Sequence, residues 1–184
     1  MLMRIARSWI PLAFVATVLC GFVYGGIQQT YRNGADDPQL QMAADGAAAL
    51  AAGATPASLV GTGEVNLRDG LAPFTVVYGQ DKKPVAGNGR LDGALPIPPA
   101  GVLEAAAVSS RNRVTWQPRS GVRIATVVVP VADGRGWVLA GRSLREAERR
   151  VEQLGWMAVA AWLVAVAGSL VLASGLEWWG RPRT

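Results

Sequence analysis

GWVLAGRSLREAERRVEQLGWMAVAAWLVAVAGSLVL, residues 136–172, holds three patterns in one unbroken run. Trp137–Gly141 is a short apolar segment behind the glycine-rich turn Ala132-Asp133-Gly134-Arg135-Gly136, and it reads as a β-strand. Ser143, followed three residues later by Glu146, forms a capping box, so a helix is expected to start there. Leu144, Ala147, Val151 and Leu154 then recur at spacings of three, four and three, a heptad stripe. Arg145 with Glu148 and Arg149 with Glu152 place opposite charges at i, i+3 on the wet face. No proline or glycine interrupts before Gly155, and Trp156–Leu172 is wholly apolar or small. The surrounding uncharged window, residues 153–176, supplies the ~20 residues needed to cross ~30 Å of hydrocarbon. A strand leading through a helical stalk into a membrane span predicts an α+β domain tethered by its last strand.

The other end of the chain mirrors this one. Ser8–Tyr31 carries no charge, and Trp9–Ile27 is a second apolar run of spanning length. A secretory signal peptide has a shorter apolar region and an Ala-x-Ala site, neither of which is present, and Leu19 before Cys20 does not suit a lipoprotein signal. A retained anchor is therefore expected. Trp9, Tyr24, Trp156, Trp178 and Trp179 stand near the ends of the spans, as aromatic side chains do at headgroup level. Arg4 and Arg7 precede the first span and Arg181 and Arg183 follow the second, with Glu177 opposing them, which predicts both termini in the cytoplasm. The expected organisation is a cytoplasmic N-terminus (1–8), transmembrane helix (9–27), extracytoplasmic domain (28–152), transmembrane helix (153–176) and cytoplasmic tail (177–184).

Composition narrows the chemistry. The 184 residues are 51% hydrophobic and include one Cys and no His. Without histidine there is no Ser/His/Asp or Cys/His pair, no HExxH zinc helix and no phospho-accepting His. The paired acids and bases of hydrolytic chemistry do not stand out either, so no enzyme activity and no cofactor are expected. A net charge of +5 without basic runs interleaved with aromatics argues against nucleic acid. Asp36, Asp37 and Asp45 match no metal-loop spacing, so no metal is assigned.

Within the external segment, Asn33-Gly34 should stop the first helix. Asp37 and Pro38 should start another, with Leu40, Ala43, Ala47 and Leu50 on one stripe. Residues 54–70 give no firm pattern. Phe74–Tyr78, the polar turn Gly79–Lys83 and Pro84–Gly87 read as a hairpin. A short helix over Ala100–Val108 and strands over Arg113–Gln117, Val122–Val131 and Trp137–Gly141 follow. This succession of membrane helix, second helix near Asp36-Asp37-Pro38-Gln39, hairpin, short helix, three strands and exit helix resembles the extracytoplasmic PAS-like (Cache or PDC) sensor domains of bacterial histidine kinases and chemoreceptors. The resemblance implies a five-stranded antiparallel sheet with flanking helices, a ligand pocket or protein-contact face on that sheet, and residence in the bacterial inner membrane with the domain on the periplasmic or extracellular side. Those receptors continue into a HAMP linker and an output module, whereas this sequence ends at Thr184, so a separate membrane kinase or other signalling partner is expected to supply the output.

Two sets of residues bear on binding. Arg111, Arg113, Trp116 and Arg123 would form a cationic and aromatic cluster suited to a carboxylate or other small anion. The competing assignment makes Trp116 core and the arginines solvated guards of a sheet edge. Ala13, Thr17, Gly21 and Gly25 on the first span, and Ala161, Ala165, Ser169 and Ala173 on the second, form ridges of small residues. Such ridges serve packing of the two spans, homodimerisation, or docking beside another membrane protein. Two functions remain open: a sensory ligand-binding module, or a structural or accessory membrane subunit whose domain is a protein-contact surface.

Overall fold

The computed structural model describes residues 2–34 and 37–179. Asp36, Arg181 and Arg183 lie outside the described residues. The helices are α1 (Leu2–Gly34), α2 (Asp37–Ala51), α3 (Val102–Ser109) and α4 (Arg145–Trp179). The strands are β1 (Val65–Asn66), β2 (Phe74–Tyr78), β3 (Pro84–Gly87), β4 (Gly89–Arg90), β5 (Asn112–Arg119), β6 (Val122–Pro130) and β7 (Trp137–Ser143). The chain divides into a compact unit over Asn33–Ala147 and a second unit carried by the rest of α1 and α4.

In the first unit the expected α+β architecture is present as a five-stranded antiparallel sheet in the order β3-β2-β7-β6-β5. The last strand in sequence is thus the central one, paired through Val76↔Leu139 on one edge and Val128↔Leu139 on the other. Period-two alternation sends the side chains to two cores. On one face α2 buries Ala43 and Ala47 against Val77, Val138 and Ala140. Close approach is allowed because Gly46 faces Val138, where a Cβ would lie 3.1 Å from Cγ1. On the other face Phe74, Val76, Tyr78, Ile124, Val128 and Leu139 pack with Val102, Leu103 and Ala106 of α3.

Differences from the sequence reading have local causes. The helix expected from Ala100 begins at Val102, because Gly101 is left-handed at φ 86°. Residues 54–70 contain a 3₁₀ turn, Pro56–Leu59, and β1, which pairs in parallel with β4 (Val65↔Gly89). Strand β7 extends to Ser143, whose Oγ accepts the Arg145 N–H at 3.3 Å while Leu144 N–H donates to Arg123 C=O at 2.9 Å. The residue read as a helix cap is therefore also the end of the central strand. Of the four stalk residues, Leu144 precedes the helix, and Ala147, Val151 and Leu154 are half-buried positions of α4.

Tyr78 is fully buried and its hydroxyl donates to Pro96 C=O at 2.7 Å. Burial pushes its phenol pKa well above the usual tyrosine value. A raised folded-state pKa means that the neutral phenol's contribution is complete below the unfolded value of about 10 and is lost as pH climbs above it. The wild-type domain should lose stability in alkaline titration followed by circular dichroism, and Tyr78→Phe should flatten that loss. An equal alkaline loss in both proteins would remove Tyr78 as its cause.

In the second unit, Trp9 Nε1 donates to Val166 C=O (3.2 Å) and Trp162 Nε1 to Thr17 Oγ1 (2.8 Å), so α1 and α4 lie antiparallel side by side. The part-buried positions include Trp9, Ala13, Ala16, Cys20, Tyr24 and Ile27 on α1 and Val151, Leu154, Ala158, Trp162, Val166 and Ser169 on α4, where Ala173 is fully buried. Of the two small-residue ridges, Ala13, Ser169 and Ala173 are withdrawn from solvent, while Thr17, Gly21, Gly25, Ala161 and Ala165 are exposed, although Thr17 still accepts the Trp162 N–H and, with Gly21, borders the groove between the helices. A step of four residues drifts by roughly 40° each time at 3.6 residues per turn, so a ridge at fixed spacing of four leaves a seam that alternates three and four. Ile5–Gln29 and the apolar part of Arg145–Leu176 are long and apolar enough to span a membrane, with 0% and 6% of the tested windows buried. The core helix of a soluble protein would hide most of that surface, which supports a membrane protein.

Candidate functional site

The anticipated cluster does not assemble. Arg113 pairs with Val127, and Arg123 shares that parity, so both lie on the α2 face of the sheet, where they are exposed. Trp116, three residues beyond Arg113, must point to the opposite face; it pairs with Ile124 and packs in the α3-side core at 7% exposure. Arg111 precedes β5, and its carbonyl accepts the Ser109 hydroxyl at 2.7 Å. The assignment of Trp116 to the core is the one the geometry matches, and this Trp belongs to a different constellation.

Between Trp116 and Arg119 the β5–β6 register shifts, and Arg119 pairs with Val122, a residue of the α3-side core. An odd separation of three would have put Arg119 on the face opposite Trp116, so the bulge places both on one face, as bulges do when they re-aim a side chain. Next to them is a cavity of ≈ 320 Å³. Its apolar walls are Trp116, Leu91, Ile97 and Pro99, and Gln117, Pro118 and Arg119 complete it along the edge strand β5.

Arg119 Nε donates to Asp92 Oδ2 at 3.0 Å, and Arg68 Nε donates to Asp92 Oδ1 at 2.7 Å. The Arg68 bond first, then the Arg119 bond, hold the Asp92 carboxyl below the usual carboxylate range. Asp92 is positioned by the turn Leu91-Asp92-Gly93-Ala94, in which Leu91 and Ala94 exchange both backbone hydrogen bonds (2.8 and 3.1 Å). Both central residues have positive φ (53° and 81°), as a type I′ turn requires. The carbonyl of Arg68 accepts a hydrogen bond from Arg145 Nη2, and Arg145 Nη1 lies 3.6 Å from Asp69 Oδ1. A polar path thus runs from the cavity through Asp92 and the 66–70 loop to the first residue of α4. Its groups are substantially exposed, so the path orients the segments and adds little to stability.

Asp92 and Arg119 were not singled out in the sequence, yet both carried a signal. Asp92-Gly93 between apolar residues is the strongest short-range hairpin cue, and Pro118 inside a strand marks an edge or a bulge. Among the described residues no group of Cys, Asp and Glu converges as a metal site. No protein-family model, curated protein or solved structure matches this chain.

Proposed function

We propose that this chain is a two-pass membrane protein whose extracytoplasmic domain senses a small molecule in the cavity beside β5 and hands the signal to a separate partner. The observation that carries this reading is covalent: β7, the strand held on both edges at the centre of the sheet, passes through Leu144 directly into α4. No loop separates them, so α4 is the element through which a shift in the sheet would leave the domain. The central placement of the last strand and the helices covering both faces also support the PAS-like reading of the domain. The role is binding rather than catalysis, with the bilayer of a bacterial inner membrane around α1 and α4.

The test is hydrogen–deuterium exchange on the full chain in lipid nanodiscs, with compounds first selected by thermal shift. A sensing ligand should slow exchange in 91–97 and 116–119 and change it in 143–150. Protection confined to the cavity would remove signalling from the proposal. A reporter fused after Thr184 should read as cytoplasmic; an external signal there would reverse the topology. A second reading, an accessory subunit that docks beside another membrane protein, is favoured by a groove of ≈ 510 Å³ between α1 and α4. Gly21, Tyr24, Gly155 and Trp156 are among the residues lining it. Co-purification of one stoichiometric membrane partner together with an inert cavity would select that reading.

A further inference from the structure

We propose that the cavity beside β5 takes a small monocarboxylate whose anion displaces Asp92 from the Arg119 guanidinium while its apolar body lies against Trp116, Leu91 and Ile97. The proposal rests on the reading of this cavity as the sensing site and names the ligand class. Size sets the first limit: ≈ 320 Å³ is at the small end of ligand pockets. A benzoate-sized molecule fits that volume.

Chemistry sets the second. The wall opposite β5 is apolar, and Ile97 is 73% exposed, so an apolar ligand body would cover surface that now faces water. At the β5 end stands one guanidinium, a planar fork matched to a carboxylate. The bulge that puts Arg119 on the Trp116 face sets that fork beside the apolar wall.

The third limit comes from the present partner of Arg119. Asp92 already offers it a carboxylate, and the side chains are 59% and 36% exposed, so the contact is screened and open to exchange. After exchange Asp92 keeps Arg68, which holds it ionised at the mouth of the site. That retained charge disfavours a second anionic group, so a monocarboxylate is selected over a dicarboxylate. Release of Arg119 also leaves Asp92 with Arg68 alone, and Arg68 is the residue whose carbonyl Arg145 holds at the start of α4.

The test is calorimetric titration of the full chain in neutral nanodiscs with acetate, butyrate, hexanoate, benzoate and phenylacetate, each beside its amide, and with phthalate. At least one monocarboxylate should bind, ahead of its amide and ahead of phthalate. Arg119→Ala should abolish that binding, and Arg119→Lys should leave part of it. Asp92→Asn should tighten it, by about tenfold if Asp92 holds Arg119 nine-tenths of the time. Asn-Gly suits the same type I′ turn, so this variant keeps the backbone and removes only the competing charge. Unchanged affinity in Arg119→Ala, or weaker affinity in Asp92→Asn, would overturn the proposal. Amides binding as well as acids would overturn the ligand class and leave the sensing site standing. No binding by any acid or amide would overturn both.

Discussion

Replacing Phe74 by alanine is expected to remove about 3–5 kcal/mol from the stability of the domain. Phe74 is 1% exposed, and its ring fills the space left by two glycines on neighbouring strands. A Cβ at Gly141 of β7 would lie 2.7 Å from Phe74 Cζ and 2.8 Å from Thr126 Cγ2, and one at Gly89 of β4 would lie 2.5 Å from Phe74 Cδ2. The ring therefore links the central strand to the short β1–β4 pair. Gly141→Ala alone should cost about 1–3 kcal/mol by overpacking. In Phe74→Ala the added methyl at Gly141 no longer meets the ring and only the Thr126 contact remains, so the double variant should be less destabilised than the sum of the singles by about 0.5–3 kcal/mol. Urea unfolding of the full chain in micelles, followed by sheet ellipticity, measures all three. Strict additivity would mean that the ring and the glycine do not share that space. A loss of about 4 kcal/mol is a large fraction of the 5–15 kcal/mol typical of a domain, so the single Phe74 variant should already populate unfolded protein.

The parts of this fold that were legible in the sequence are those in which one local rule decides. The hairpin over Phe74–Gly87 has two short apolar runs and a five-residue polar turn, and β2 and β3 occupy the expected residues. The α2 stripe follows helical spacing, and its Ala43 and Ala47 are buried. What could not be read depended on partners distant in sequence. β1 and β4 are two residues each, too short to carry a period, and exist because Val65 N–H reaches Asn88 C=O and Leu67 N–H reaches Arg90 C=O. The cluster read from the sequence is split for a related reason. Alternation alone separates Trp116 from Arg113 and Arg123, and the bulge before Arg119, a property of the β5–β6 register, is what gives Trp116 its cationic neighbour. The small-residue ridges were visible as composition, but the seam between α1 and α4 follows the alternation of threes and fours that large and small residues make together.

Trp116 separates stability from recognition. Trp116→Ala should cost about 3–5 kcal/mol, since the indole is 93% withdrawn from solvent by its 7% exposure and fills the α3-side core next to an edge strand. Trp116→Phe, which keeps the six-membered ring in the core, should cost clearly less than Trp116→Ala. Its Nε1 is buried with no hydrogen-bond partner among the described residues. Phenylalanine keeps most of the ring and abolishes a donor that the folded state does not satisfy, which offsets part of the lost contact. If the indole acts on a ligand through its apolar face, Trp116→Phe should bind a monocarboxylate nearly as well as the wild type, while Arg119→Ala retains stability and loses binding. Arg119→Ala thus moves binding and not stability, whereas Trp116→Phe leaves binding close to the wild type. Thermal unfolding and calorimetric titration of both, in the same nanodiscs, would show whether the cavity wall and the guanidinium have these separate roles. If Trp116→Phe proved as unstable as Trp116→Ala, the indole nitrogen would be making a hydrogen bond in solution, and the account of the wall as a purely apolar surface would fail.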